Sequence, residues 1–474
     1  MNEIKKIAKS TVIYLFGSVG TKIITFFLLP ILTSNIPEAD FGIYNTSCSY
    51  ATLISSVLFL DVWAGIMRFM FDYKSKKEQY QVIYSGIVLF VSSLALYIGA
   101  FFIFNAFSPM TYPWLVLLYG ASLCFQNLYS YISRALGNNS LFAVSGIVST
   151  LVNAGVTFVL VLLLNFDYSA LYIAYVLGIL AQCIILEAKV RLFANFKSAG
   201  IKKELVRQIL RFSLPLCINS ACYWMLNGFN TIFVFVQLGS QQTGYYGMAG
   251  KFAVMISLVT SCFSMAWQEL AFNKSDQSKE TGAFYSTAVQ LYTKALFCGY
   301  LLLMPFISII FPFFIRGTYG PVKAIIPLYM LATIVSIMST FLGNILTAYK
   351  RNQTIFVSTL CACTVNVVIA VLLIDLIGVQ AASLAMLCGY FVCDFVRILF
   401  IKQSIPLRFG WKSLLYMIPL CVLFSVVYLY NSIWLDILMF VIAAAITLFL
   451  FKDYVRIAYA KLLSMTKRRH NRSE

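Results

Sequence analysis

The sequence predicts an all-α integral membrane protein of fourteen transmembrane helices, built as two parallel six-helix bundles plus a C-terminal hairpin. Three observations predict it. Of the 474 residues, 61% are hydrophobic and 11% charged, with a mean hydropathy of +0.86. The apolar residues gather into stretches of about twenty, the length a helix needs to cross a hydrocarbon core of about 30 Å. The basic residues concentrate in alternate loops.

The spans run near 11 to 34, 41 to 67, 81 to 107, 112 to 133, 141 to 164, 168 to 188, 211 to 237, 244 to 270, 284 to 311, 324 to 348, 354 to 374, 378 to 396, 410 to 429 and 433 to 451. The first runs into Pro30 and Asn35 without a small-residue cleavage signature and reads as a retained helix. With the N-terminus in the cytoplasm, the flanks holding Lys5, Lys6 and Lys9, then Lys74, Lys76 and Lys77, and later Lys467, Arg468 and Arg469 all lie inside. Of the 35 lysines and arginines, only Arg316 and Lys323 fall outside, and three lie within spans. That bias puts both termini in the cytoplasm and requires an even number of crossings. It also explains the net charge of +18 as topology and contact with anionic phospholipids, leaving no role for nucleic acid.

The basic stretch at 189–210 divides the chain into a six-helix lobe at 1–188 and another at 211–405, followed by the hairpin at 406–451 and a basic cytoplasmic tail at 452–474. A shift of 202 places Phe41-Gly42-Ile43-Tyr44 over Thr243-Gly244-Tyr245-Tyr246, and Lys5 and Lys9 over Arg207 and Arg211. A shift of 213 carries Ala135, Ser145 and Asn153 onto Ala348, Ser358 and Asn366. Six crossings per block make the copies parallel, related by a pseudo-twofold axis along the membrane normal with a substrate path between them.

A lysine at the centre of a span costs about 2.5 to 3.5 kcal/mol on insertion scales, so Lys22, Lys251 and Lys294 each need a wet cavity, an anion or a partner. Lys251 also lies near enough to a span end for its stem to reach the headgroups. These three form the expected cavity cations. Asp61, Arg68 and Glu269 are candidates for coupling or gating, with Asp61 and Arg68 two helical turns apart; Asp394 and Arg397 are spaced for a local ion pair. Tyr223, Trp224, Asn227 and Asn230 in the seventh span make a candidate sugar-contacting wall. Asn153 and Asn366 read as helix-packing amides. Prolines 30, 215, 305, 312 and 327 sit where helices bend at gates. The twelve cysteines lie inside spans and read as small packing residues. The sole histidine, His470, is in the tail, and no phosphate-binding glycine loop, catalytic constellation, metal cluster or cofactor motif stands out.

Ile36-Pro-Glu-Ala-Asp-Phe-Gly-Ile-Tyr44, Leu238-Gly-Ser-Gln-Gln-Thr-Gly-Tyr-Tyr-Gly-Met-Ala-Gly-Lys251 and Arg134-Ala-Leu-Gly137 resemble the polysaccharide transporter (Wzx-type) flippases of the MOP superfamily, which also holds the MATE exporters. Ser213-Leu-Pro-Leu216 and Ala266-Trp-Gln-Glu269 add to the likeness, which covers about residues 1 to 405. The resemblance implies a V-shaped carrier in a bacterial inner membrane. Its cargo would be an undecaprenyl-diphosphate-linked oligosaccharide, its coupling ion H+ or Na+, and its neighbour the polysaccharide polymerase machinery of O-antigen, capsule or exopolysaccharide assembly. It places Lys251 at a position that is often basic. Where members often show an acid, this chain has Asn230, which argues against ion coupling there. The added hairpin is similar to that of fourteen-helix lipid II flippases, where it helps form a groove for the lipid tail. A cation-coupled MATE-type multidrug exporter is the nearest alternative, and it calls for an acidic cavity instead. A membrane polysaccharide polymerase or ligase is the alternative of another class, and it calls for a sizeable outer loop.

Overall fold

The computed structural model describes residues 20–194, 200–273, 279–349, 351–403, 405–407, 409–430 and 432–452. Among them the secondary structure is helical throughout. The order is α1 (20–27), α2 (Leu29–Asn35), α3 (Glu38–Leu58), α4 (Val62–Met70), α5 (Lys76–Phe107), α6 (Pro113–Ala135), α7 (Asn139–Phe158, extended by a π turn Val159–Leu163) and α8 (Ser169–Val190). The second half continues with α9 (Lys203–Asn227), α10 (Phe229–Asn273), α11 (Lys279–Phe314), α12 (Val322–Ala348), α13 (Asn352–Ile377), α14 (Gln380–Lys402), α15 (Trp411–Leu429) and α16 (Ile433–Leu450).

Ten of these helices are long and apolar enough to cross a membrane, or eleven if α3 and α4, bent by 47°, form one span. The other expected spans fall where the first begins before the described residues, where the eighth forms the latter part of α10, and where the thirteenth shows its apolar run over Leu415–Leu429. The basic tail beyond residue 452 and part of the linker, 195–199, lie outside the described residues. The chain divides into two compact units, one of Met1–Ser275 with Phe313–Phe400 and the other of Asp276–Pro312 with Ile401–Glu474.

Breaks within the first unit depart from the expected straight spans. The second span turns at Leu60 and Asp61, both left-handed (φ 52° and 51°), so α4 starts on a new axis. The seventh, expected through residue 237, ends at Asn227. Gly228 is required there because an added Cβ would lie 2.4 Å from the Trp224 indole nitrogen. The chain re-enters helix at Phe229 and pivots at Gly239 (φ 84°, ψ 179°), a conformation open essentially to glycine alone. A residue with a side chain at 239 would not let α10 bend back past α3.

That pivot brings the backbones of α3 and α10 into close approach. An added Cβ at Gly42 of α3 would sit 1.8 Å from the Ser240 carbonyl oxygen, and one at Gly244 of α10 would sit 1.9 Å from the Glu38 carbonyl oxygen. The contact is reciprocal under the 202-residue shift, which carries Gly42 onto Gly244 and Glu38 onto Ser240. One turn on, Gly247 receives the Asn45 side chain. The Glu38 carboxylate, 8% exposed, seals the end of this seam by accepting from Gln241 Nε2 (2.8 Å), the Tyr245 hydroxyl (3.4 Å) and the Thr318 hydroxyl. Small residues that let two backbones touch are the usual means of joining helices in lipid, where apolar burial gives no preference for protein over bilayer.

Gly42→Ala or Gly244→Ala is expected to cost about 1 to 3 kcal/mol through overpacking, read as a lowered unfolding midpoint of the detergent-solubilised protein. Gly155→Ala, whose Cβ would meet nothing within 4 Å, is the control and should leave the midpoint unchanged or raise it.

Candidate functional site

Gly244, Gly247 and Lys251 follow one another at helical spacing, so the face that packs on α3 also carries the lysine. Lys251 therefore points out of the second half and into the first. It lines a cavity of about 330 Å³ enclosed by α1, α2, α3, α6, α7 and α8. The phenol rings of Tyr44, Tyr119 and Tyr175 form one wall, the last two 4.4 Å apart between centroids. Gln126 and Asn153 supply amides, and Leu28, Leu29 and Leu32 supply an apolar side.

A smaller cleft shares Thr25, Leu29 and Lys251 with this cavity and adds Lys22. The Lys22 ammonium donates to the Ser257 carbonyl at 3.0 Å, tying α1 to α10. Two of the three expected lysines thus line one cleft, and no carboxylate is among the residues lining the cleft or the cavity. Lys251 makes no hydrogen bond or ion pair among the described residues. Lys294, half-buried on α11, belongs to the second unit.

The second unit has a groove of its own, about 500 Å³, between α11 and the hairpin helices α15 and α16. Phe297, Leu301, Met417, Leu420, Ile446 and Phe449 line it. It is apolar almost throughout.

The remaining candidates are spent on internal bonds. Asn230 and Asn366 form a reciprocal amide pair, Nδ2 of each donating to Oδ1 of the other at 3.1 and 3.3 Å. Their second N–H groups go to the carbonyls of Ala382 and Met225. Trp224 donates to the Ser49 carbonyl at 3.1 Å, and Asn227 accepts from Tyr390 at 3.1 Å. Tyr223 accepts from Arg397 at 3.5 Å. None of the four expected sugar-wall residues lines the cavity that Lys251 enters.

Asp61 and Arg68 do not pair. The break at Leu60 and Asp61 removes the helical register that would align them, so Asp61 accepts from the Ser220 hydroxyl and Arg68 pairs with Asp72 at 2.6 Å. The side chain of Glu269 lies outside the described residues. The expected ion pair between Asp394 and Arg397 is also not formed. Arg397, 1% exposed, reaches instead to α12 and α13, where Ser339 (carbonyl and hydroxyl), Ser358 and Thr359 accept its N–H groups. Gly343 makes the room, since its Cβ would lie 3.0 Å from Arg397 Nη1. A guanidinium has five donors, and hydroxyls on two neighbouring helices satisfy more of them than a single carboxylate can. Asp394 Oδ1 is left buried without a partner.

Arg397→Ala is expected to cost about 2 to 4 kcal/mol, from the cavity and the acceptors it strands. Asp394→Asn should leave the unfolding midpoint within a degree or two of the parent by the same measurement. Equal losses in the two variants would show that the pair acts as an ion pair after all.

A family model for "Polysaccharide biosynthesis protein" matches residues 7–267, more than half of the chain. Lsg locus putative protein 1 of Haemophilus influenzae is 24% identical over 368 residues, covering 74% of this chain and 87% of that protein. Among solved structures, lipid II flippase MurJ in an inward closed conformation superposes with a TM-score of 0.72 at 14% identity, covering 94% of this chain and 100% of MurJ. An inward-facing multidrug resistance MATE transporter of the MOP superfamily gives 0.60 at 12% identity, covering 83% of this chain and 94% of that one. The chain is a multi-pass membrane protein with the fold shared by MurJ and the MATE transporters, and it belongs to the polysaccharide biosynthesis protein family.

Proposed function

We propose that this protein is a flippase that carries an undecaprenyl-diphosphate-linked oligosaccharide from the cytoplasmic to the outer leaflet of a bacterial inner membrane. The observation that carries the proposal is the cleft in which Lys22 and Lys251 meet without a carboxylate among its lining residues. One ammonium about 4 Å from a phosphate charge gains about 4 kcal/mol at an effective dielectric of 20, before desolvation is subtracted. The family match and the MurJ-like fold support a lipid-linked cargo. Taken by itself, the second unit's groove of α11, α15 and α16 is apolar, the character a polyprenyl tail would need.

In this reading the chain crosses the membrane fourteen times with both termini cytoplasmic, and its two six-helix repeats rock about a pseudo-twofold axis. The reciprocal contact of Gly42 and Gly244 supports that axis. With the cytoplasm negative, outward movement of two negative charges gains about 4.6 kcal/mol per 100 mV, at about 2.3 per charge, so the membrane potential assists the loaded step. The product would feed surface polysaccharide assembly. A MATE-type exporter of cationic drugs is disfavoured by the same two ammonium groups.

The test is flipping of a fluorescent undecaprenyl-diphosphate saccharide in proteoliposomes, read by protection of the label from a membrane-impermeant quencher. Lys22→Ala and Lys251→Ala are each expected to slow flipping at least tenfold at equal reconstitution, and Lys251→Arg to recover part of the rate. Lys294→Ala tests the remaining membrane-depth cation separately. Parental rates in both alanine variants of the cleft, or drug resistance conferred on a pump-deficient strain, would overturn the reading.

A further inference from the structure

The two halves treat one equivalent pair of positions differently. In the second half Asn366 is satisfied by Asn230, and both are fully buried. The 213-residue shift carries Asn153 onto Asn366, and the 202-residue shift carries Leu28 onto Asn230. The position equivalent to the partner asparagine is therefore a leucine in the first half. Asn153 makes no hydrogen bond among the described residues, and both it and Leu28 line the 330 Å³ cavity. An amide at membrane depth that has lost its protein partner is costly unless something else bonds it.

Lys251 also enters this cavity, with no hydrogen bond or ion pair among the described residues. We propose that the first-half cavity is a saccharide subsite. The sugar next to the phosphate would bond Asn153 and pack against Tyr44, Tyr119 and Tyr175, with its anionic linkage turned toward Lys251. This rests on the flippase reading and moves the sugar contacts from Tyr223, Trp224, Asn227 and Asn230 in the second half to the first. The lining chemistry fits a sugar better than its rivals. An ammonium opposes a metal ion or a cationic drug, and a polyprenyl chain gives nothing to two unspent polar groups. A sugar ring has C–H faces for phenol rings and hydroxyls for amides.

The cavity also joins the cleft that holds Lys22, through the shared Thr25, Leu29 and Lys251. The cleft, about 20 Å³, is too small to enclose a diphosphate, so the anionic linkage would sit where cleft and cavity join, beside Lys251, with the first sugar in the cavity.

Two probes separate the subsite from the cation cleft: farnesyl diphosphate alone, and farnesyl diphosphate bearing N-acetylglucosamine. Each is titrated into the full-length protein in detergent, and the affinity ratio between them is the readout. The parent should bind the sugar-bearing probe more tightly. Asn153→Ala is expected to reduce that ratio about fivefold to tenfold, the value of one hydrogen bond and its orphaned partner. Leu28→Asn places an asparagine in the cavity lining at the position equivalent to Asn230. It should keep or raise the unfolding midpoint while abolishing the preference for the sugar-bearing probe, which separates loss of the subsite from loss of the fold. An unchanged ratio in both variants would overturn the subsite while leaving the flippase reading intact. Failure of the parent to bind either probe would instead overturn the flippase reading on which the subsite depends.

Discussion

Hydrocarbon offers a polar group nothing to bond, so a polar side chain folded to membrane depth must find its partner within the protein, in trapped water or in a ligand. In the second half the buried amides and the guanidinium meet this constraint internally, while Asp394 Oδ1 does not. Asn230 and Asn366 use both N–H groups of each amide, and Arg397 is held by Ser339, Ser358 and Thr359. The apolar cluster of Leu226, Ala332, Ala362, Met386 and three cysteines packs beside them. The first-half helices enclose a cavity instead, with an amide and an ammonium turned into it. The same constraint therefore yields a filled scaffold in one half and a chamber in the other.

The chamber depends on the seam between α3 and α10. Because Gly42 and Gly244 let two backbones touch, Lys251, one face-repeat beyond Gly247, is driven across the boundary into the first half. A side chain at either glycine would hold the helices apart and withdraw the ammonium. Glu38 secures the end of the seam through three donors, two from α10 and one from the segment before α12. The seam thus fixes the position of the one cation that both the cleft and the cavity share.

Much of the helix order was legible because a run of twenty apolar residues has one stable form in lipid: the expected spans at 324 to 348 and 433 to 451 coincide closely with α12 and α16. The breaks at Leu28, Asp61 and Gly228 were not, since hydropathy is blind to a backbone that turns without becoming polar. That blindness also misplaced Asp61 against Arg68, whose alignment assumed an unbroken helix. Lys22 and Lys251 stood out as membrane-depth cations because their insertion cost is local and can be read residue by residue. The cavity tyrosines did not stand out, because aromatic residues are common in membrane helices and Tyr44, Tyr119 and Tyr175 lie on three separate elements. Asn153 carried a usable signal, the repeat register that sets Leu28 opposite Asn230, but the weight of an unmatched amide shows only once Asn230 and Asn366 are seen bonded to each other.

The asymmetry between the halves bears on how a carrier can hold an anion and still release it. An ammonium already neutralised by a carboxylate would attract a phosphate weakly, and one locked into a rigid anion trap would not let it go. Lys251 makes no ion pair among the described residues, and the Lys22 ammonium donates to the Ser257 carbonyl. In the proposed flippase, an anionic headgroup beside the two lysines would lower the cost of burying their ammonium groups, favouring the loaded state over the empty one at the same depth. Water arriving from the opposite side as the seam parts would solvate ammonium and phosphate separately and screen their attraction. In the proposed flippase, binding strength would follow from whether the cleft is dry, and the same two lysines would serve both capture and release.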